Sequence, residues 1–183
     1  MAADILGPDF VARRIALRAD GEGEVVATLV HTAGAPRHRR AVLYVHGFVD
    51  YFFQTHMAEE WDARGYDFYA LDLRKYGRSL LPHQTPNFCR DLADYDEELD
   101  EAARIIRAEH NHQTLVVMGH STGGLVTSLW VARRPGLAQA LVLNSPWLDL
   151  AGTWFRRVVM TAMVDMVGAV SPMAMVMEKL PDP

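Results

Sequence analysis

The chain has 183 residues, half of them apolar and 22% charged, and a net charge of −5. That composition excludes extensive disorder, and its one basic knot, Arg37–Arg40, is too short for a nucleic-acid face. A single cysteine, Cys89, excludes an intrachain disulfide and fits a reducing, cytoplasmic setting.

The first ten residues lack a basic stretch followed by an apolar one, so no signal peptide is expected. Arg13–Ala19 and Glu24–Thr32 read as strands around the turn-forming cluster Asp20–Gly23, a β-hairpin. The basic knot that follows reads as a solvated loop. Ala41–Gly47 is apolar throughout and too short for a helix, which suits a strand buried on both faces. Gln54–Arg64 reads as a helix stopped by Gly65, and Tyr66–Leu73 as another strand.

After the Pro- and Gly-rich loop that begins at Arg74, the spacing predicts a helix over Phe88–Glu109. Phe88, Leu92, Tyr95, Leu99, Ala102 and Ile106 fall on one face, with acids in the first half and Arg104 and Arg107 near the end. Thr114–Gly119 reads as a strand, Thr122–Arg134 as a helix halted by Pro135 and Gly136, and Ala138–Ser145 as a further strand. The alternation predicts an α/β fold: a mostly parallel sheet with helices on both faces, led by the antiparallel hairpin. Residues 1–150 form its core.

From Trp154 to Leu180 the pattern is helical and apolar, with six of the nine methionines and a break at Ser171-Pro172. Residues 151–183 are either core helices on the sheet or the start of a lid over an acyl-binding cleft. Asp165 interrupts the longest apolar run there, so no transmembrane segment is expected.

The chemistry centres on Gly119-His120-Ser121-Thr122-Gly123. A G-x-S-x-G pattern by itself is weak, but this copy lies where a buried strand gives way to a helix. Such an elbow lifts a serine hydroxyl above the sheet and needs small neighbours, because strand and helix approach closely. The helix N-terminus then faces developing negative charge. Ser121 is the candidate nucleophile. Two backbone amides complete the expected oxyanion hole, those of Phe48, after the His46-Gly47 strand end, and Thr122, after the nucleophile.

His46 and His120 read as structural rather than catalytic, and His56, on a helix, and His83, in a loop, carry no functional signal. The histidines and Cys89 show no metal-ligand spacing. Yet all eight histidines lie at positions 31–120, and none follows Ser121.

Together Tyr44–Phe48 (YVHGF), Asp72–Ser79 (DLRKYGRS), Gly119–Gly124 (GHSTGG) and Asn144–Leu150 (NSPWLDL) resemble the α/β-hydrolase superfamily. The resemblance lies closest to its monoglyceride lipase/lysophospholipase and serine aminopeptidase-like branch and spans about residues 25–150. It implies a serine hydrolase of carboxylic esters, such as acylglycerols or lysophospholipids, acting through an acyl-enzyme on Ser121, with no cofactor or metal. In the family Asp72 and Arg74 brace a turn that Gly77 permits; Lys75 stands where glycine is frequent. The chain order Ser, acid, His places the acid after a seventh strand and the histidine after an eighth, past the lid. The expectation is that both lie outside these 183 residues and that this chain alone is inactive. Asp149 is an alternative acid that some members use. The competing readings are a non-catalytic binding protein of the same fold and a peptidase.

Overall fold

The computed structural model describes residues 3, 4 and 6–149. Its strands are β1 (Ala3–Asp4), β2 (Gly7–Asp20), β3 (Gly23–Thr32), β4 (Arg40–Val45), β5 (Asp67–Asp72), β6 (Thr114–His120) and β7 (Ala140–Asn144). The α-helices are α1 (Thr55–Asp62), α2 (Asp96–Arg104) and α3 (Thr122–Arg133). All seven strands join one sheet in the order β1-β2-β3-β5-β4-β6-β7. The β2–β3 hairpin and the β3–β5 pair are antiparallel. The pairs β4–β5, β4–β6 and β6–β7 are parallel. This is the expected architecture, with the short β1 as an addition.

The apolar run of β4 divides by strand alternation. Ala41, Leu43 and Val45 belong to one core, and Val42 and Tyr44 to the other. A strand covered on both faces needs apolar residues at every position, which is why no polar alternation shows in its sequence. On the first face Leu99 and Ile106 pack with Trp130. On the second, Ala58 of α1 packs with Phe52 and Phe68.

The helix expected over Phe88–Glu109 starts later and is not uniform. Leu92–Tyr95 is a 3₁₀ turn, Asp96–Arg104 is α-helical and Ile105–Glu109 is a π-turn. The Asp91 carboxylate accepts the Ala93 amide at 2.8 Å, and the Asp94 carboxylate receives the Asp91 amide at 3.3 Å. That reciprocal cap sets the start, and Phe88 lies before it.

β7 has β6 as its one partner strand among the described residues. Val142 and Leu143 are 37% and 39% exposed. Residues 3–148 belong to one packed unit. The methionine-rich tail read above as lid or core helices, and with it the domain assignment of residues 151–183, lies outside the described residues. Among the described residues, no helix is long and apolar enough to cross a membrane.

Candidate active site

Strand β6 ends at His120, and α3 begins at Thr122. Ser121 between them has φ +51° and ψ −119°, a conformation that L-residues avoid. Such backbone costs about 1–3 kcal/mol and persists only where its surroundings enforce it. Here they do. The Ser121 amide donates to the Asn144 carbonyl at 3.1 Å, and the Ser121 carbonyl accepts the amides of Gly124 and Trp147, each at 2.9 Å. His120 Nδ1 donates to the same Asn144 carbonyl at 3.2 Å. The end of β7 therefore holds the elbow, and His120 is part of that anchorage.

Close approach explains the glycines. A Cβ on Gly119 would lie 2.5 Å from Thr127 Oγ1 and 2.6 Å from the Gly123 carbonyl oxygen. A Cβ on Gly123 would overlap the carbonyl oxygen of His46 and sit 2.5 Å from that of Val45. The first turn of α3 thus rests directly on the end of β4.

The loop after β4 packs against the elbow: a Cβ on Gly47 would meet Ser121 Cβ at 3.2 Å. Among the described residues neither the Phe48 amide nor the Thr122 amide donates a hydrogen bond. His46 is 1% exposed, and both ring nitrogens are used. Nδ1 donates to the Gly47 carbonyl at 2.8 Å, and Nε2 accepts the Leu73 amide at 3.1 Å. Burial pushes its pKa down, which keeps the ring neutral. His46 fixes the Gly47–Phe48 loop to the end of β5, a structural role as its position in the sequence predicts.

Residues Asp72–Ser79 form the second support. The buried Asp72 carboxylate accepts the amides of Phe52 at 3.1 Å and Arg78 at 3.1 Å, and the Arg78 guanidinium at 2.8 Å. Arg74 meets Glu98 through Nε at 3.0 Å and Nη2 at 2.6 Å, tying the loop to α2. Burial pulls its pKa down, but the hydrogen bonds to Glu98 and Glu97 outweigh that and raise it. Lys75 has φ +64°, where glycine is favoured, and its ammonium pairs with Asp20 and Glu22 at 2.5 Å each. The hairpin turn thus holds the residue that departs from the family pattern.

Beside Phe48 and Thr122 lies a mostly apolar cavity of about 170 Å³. Leu73, Tyr76, Tyr95 and Val126 line it, with Cys89 and Trp147. The sequence marks none of these as a site. Tyr95 reads there as one apolar position of a helix, and the other segments meet only through the fold.

Ser121 Oγ has no histidine partner among the described residues, since His46 and His120 are committed to backbone groups. Three other histidines cluster around Tyr69. The Tyr69 hydroxyl lies 2.7 Å from His110 Nδ1 and 2.9 Å from His112 Nε2, and the His31 ring lies 5.6 Å from that of Tyr69. One set, His38, Asp62 and Asp67, brings its donor atoms within 4.8 Å of one another. Those atoms already have partners: His38 bonds Asp62 at 2.9 Å, Arg37 pairs with Asp62 at 2.6 Å, and Asp67 accepts the Arg37 and His38 amides. Asp149 is the first residue of the next unit of the chain.

A family model described as serine aminopeptidase, S33, matches residues 36–183. The chain is 33% identical over 109 residues to a monoacylglycerol lipase of Mycolicibacterium smegmatis, which covers 59% of this chain and 38% of that protein. Among solved structures it is similar to a highly thermostable carboxyl esterase from Bacillus coagulans in complex with glycerol. The TM-score is 0.66 and the identity 14%, over 90% of this chain and 52% of the esterase. It is also similar to the monoacylglycerol lipase of Paleococcus ferrophilus, with a TM-score of 0.59 and 20% identity over 88% of this chain and 52% of the lipase. The chain therefore spans about half the length of these structural relatives, and less of the M. smegmatis protein.

Proposed function

The chain belongs to the serine aminopeptidase S33 family of α/β hydrolases, and from that premise we propose a serine hydrolase of carboxylic esters with Ser121 as nucleophile. One observation carries the reading: a serine at φ +51° between a buried strand and the N-terminus of a helix. Regular structure has no use for that conformation. On this reading the backbone carries the hydroxyl over the strand ends, beside the N-terminus of α3.

In the complete protein the Ser121 oxygen adds to the ester carbonyl as a histidine takes its proton. The Phe48 and Thr122 amides receive the developing oxyanion, helped by the α3 dipole. Collapse expels the alcohol, which leaves with that proton, and water then releases the acid from the acyl-enzyme. The proposal places the base and its orienting acid outside the 183 residues, with Asp149 as the alternative acid. Without a base the Ser121 hydroxyl keeps its high pKa, and removing triad members typically costs several orders of magnitude in rate.

The apolar cavity and the lipase relatives favour acylglycerol-like esters. The same nucleophile and amides would serve amide bonds, as the family description indicates, so amide substrates belong in the test. The complete protein should form one covalent adduct with a fluorophosphonate probe, and Ser121→Ala should abolish it. Equal labelling of Ser121→Ala, or no labelling of the folded complete protein, overturns the proposal; the second outcome favours a binding protein.

A further inference from the structure

We propose that the cavity beside Phe48 and Thr122 is the acyl pocket and that it limits the acyl chain to about six carbons. This rests on the ester-hydrolase reading, since it takes the scissile carbonyl to lie at the two amides.

Burial orients the cavity. Leu73, Tyr76, Tyr95 and Val126 are 1–4% exposed and form its floor, whereas Phe48 and Trp147 are 61% and 50% exposed and form its rim. The rim residue Phe48 is also the one whose amide is to receive the oxyanion. A carbonyl placed there therefore has its alkyl chain at the mouth of an apolar cavity closed by packed side chains. The Tyr76 and Phe48 rings contact edge to face at 6.4 Å, which joins floor to rim. Tyr76 is further held against His46, ring centroids 5.0 Å apart, so the floor does not recede without disturbing the oxyanion loop.

Size sets the limit. A volume of about 170 Å³ holds five or six units at roughly 30 Å³ each, the share of one water in the liquid and close to that of a methylene. A hexanoyl tail fills it, a butanoyl tail leaves part of it empty, and a decanoyl tail exceeds it. Chains within the limit gain about threefold to fourfold in affinity per added methylene.

Cys89 supplies a readout independent of catalysis. It is the one cysteine of the chain and lines the cavity, so alkylation by iodoacetamide gives a single mass adduct that an occupant must retard. The rate is measured at pH 8.5 on the full chain with acetate, butanoate, hexanoate and decanoate. Calorimetry with the same acids runs in parallel, and hexanol is the uncharged control. Protection should rise roughly tenfold from butanoate to hexanoate and fall for decanoate. Hexanol should protect at least threefold less than hexanoate, because it offers no carboxylate to the amides. Leu92→Trp, which fills the cavity from the 3₁₀ turn, should remove protection by hexanoate.

A flat chain-length profile, or protection still rising at decanoate, overturns the proposal. So does hexanol matching hexanoate, which would assign the cavity to the leaving alcohol, or the absence of both protection and heat. Ser121→Ala should show unaltered protection. Absence of nucleophile labelling in the complete protein with protection intact would thus defeat the ester-hydrolase reading alone, and labelling of the complete protein without protection would defeat the pocket alone.

Discussion

At Gly123 two backbones need to touch. An added methyl there meets the carbonyl oxygens of His46 and Val45, which are backbone atoms with no rotamer to change. Relief requires α3 to lift off β4, and overpacking of that kind typically costs about 1–3 kcal/mol. Gly123→Ala should therefore lower stability by about 2–3 kcal/mol in urea melts and, in the complete protein, lose probe labelling at Ser121. Gly136→Ala is the control. Its φ is +86° with nothing within 4 Å of the added atom, so backbone strain alone, about 1 kcal/mol, should appear. Equal losses at the two positions would mean that close approach does not shape the elbow. His46 works at the same scale: a neutral ring bridging Gly47 and Leu73 holds the Gly47–Phe48 loop to which the proposal gives the oxyanion.

Between elements, the bidentate Arg74–Glu98 pair joins the loop after β5 to α2, with side chains 8% and 0% exposed. Arg74→Met would leave Glu98 buried without its cation, where burial already raises its pKa, and loss of one partner of such a pair costs about 3–5 kcal/mol. Adding Glu98→Leu removes the stranded carboxyl group. The double variant should recover at least half of that loss in urea melts, and simple additivity would show the pair to be uncoupled. How far such elements can be read from sequence depends on how local their causes are. The hairpin, β4, β5, β6, α3 and the elbow follow from runs, turn residues and spacing within a few positions. The region Phe88–Glu109 follows only in part. Its apolar spacing marks the buried face, while the true start depends on the short Asp91/Asp94 cap, which periodicity does not register. Lys75 looks like a departure from the family motif, and only the fold shows its ammonium between Asp20 and Glu22 of the distant hairpin turn. The cavity gathers side chains from several segments, so its existence has no local signature.

Across the whole molecule, His31, His46, His110 and His112 share a property that sets its response to acid. Burial pushes the pKa of each down, and for His112 this prevails over the pull of Asp67 at 3.7 Å. The unfolded chain then binds protons that the native protein refuses. Stability from these groups is complete above their ordinary value of about 6.5 and falls as pH drops toward the depressed native values. For the two most buried, His46 and His112, the slope is at most about 1.4 kcal/mol per pH unit each. The carboxylates act lower. Arg13 and Arg104 hold Glu109 down to about 2, and hydrogen bonds to Arg104 lower Glu101, so their contributions remain above about pH 4.5 and fade below it. Acid unfolding should therefore proceed in two stages. Urea midpoints at pH 7.5, 6.5, 5.5 and 4.5 should change little between the first two and then fall, ahead of the protonation of Glu109 and Glu101. His112→Gln should start less stable but lose less between pH 6.5 and 5.5. A midpoint flat from pH 7.5 to 4.5 would show that these rings are not neutral in the native state, and the His46 bridge would then require a different hydrogen-bond assignment.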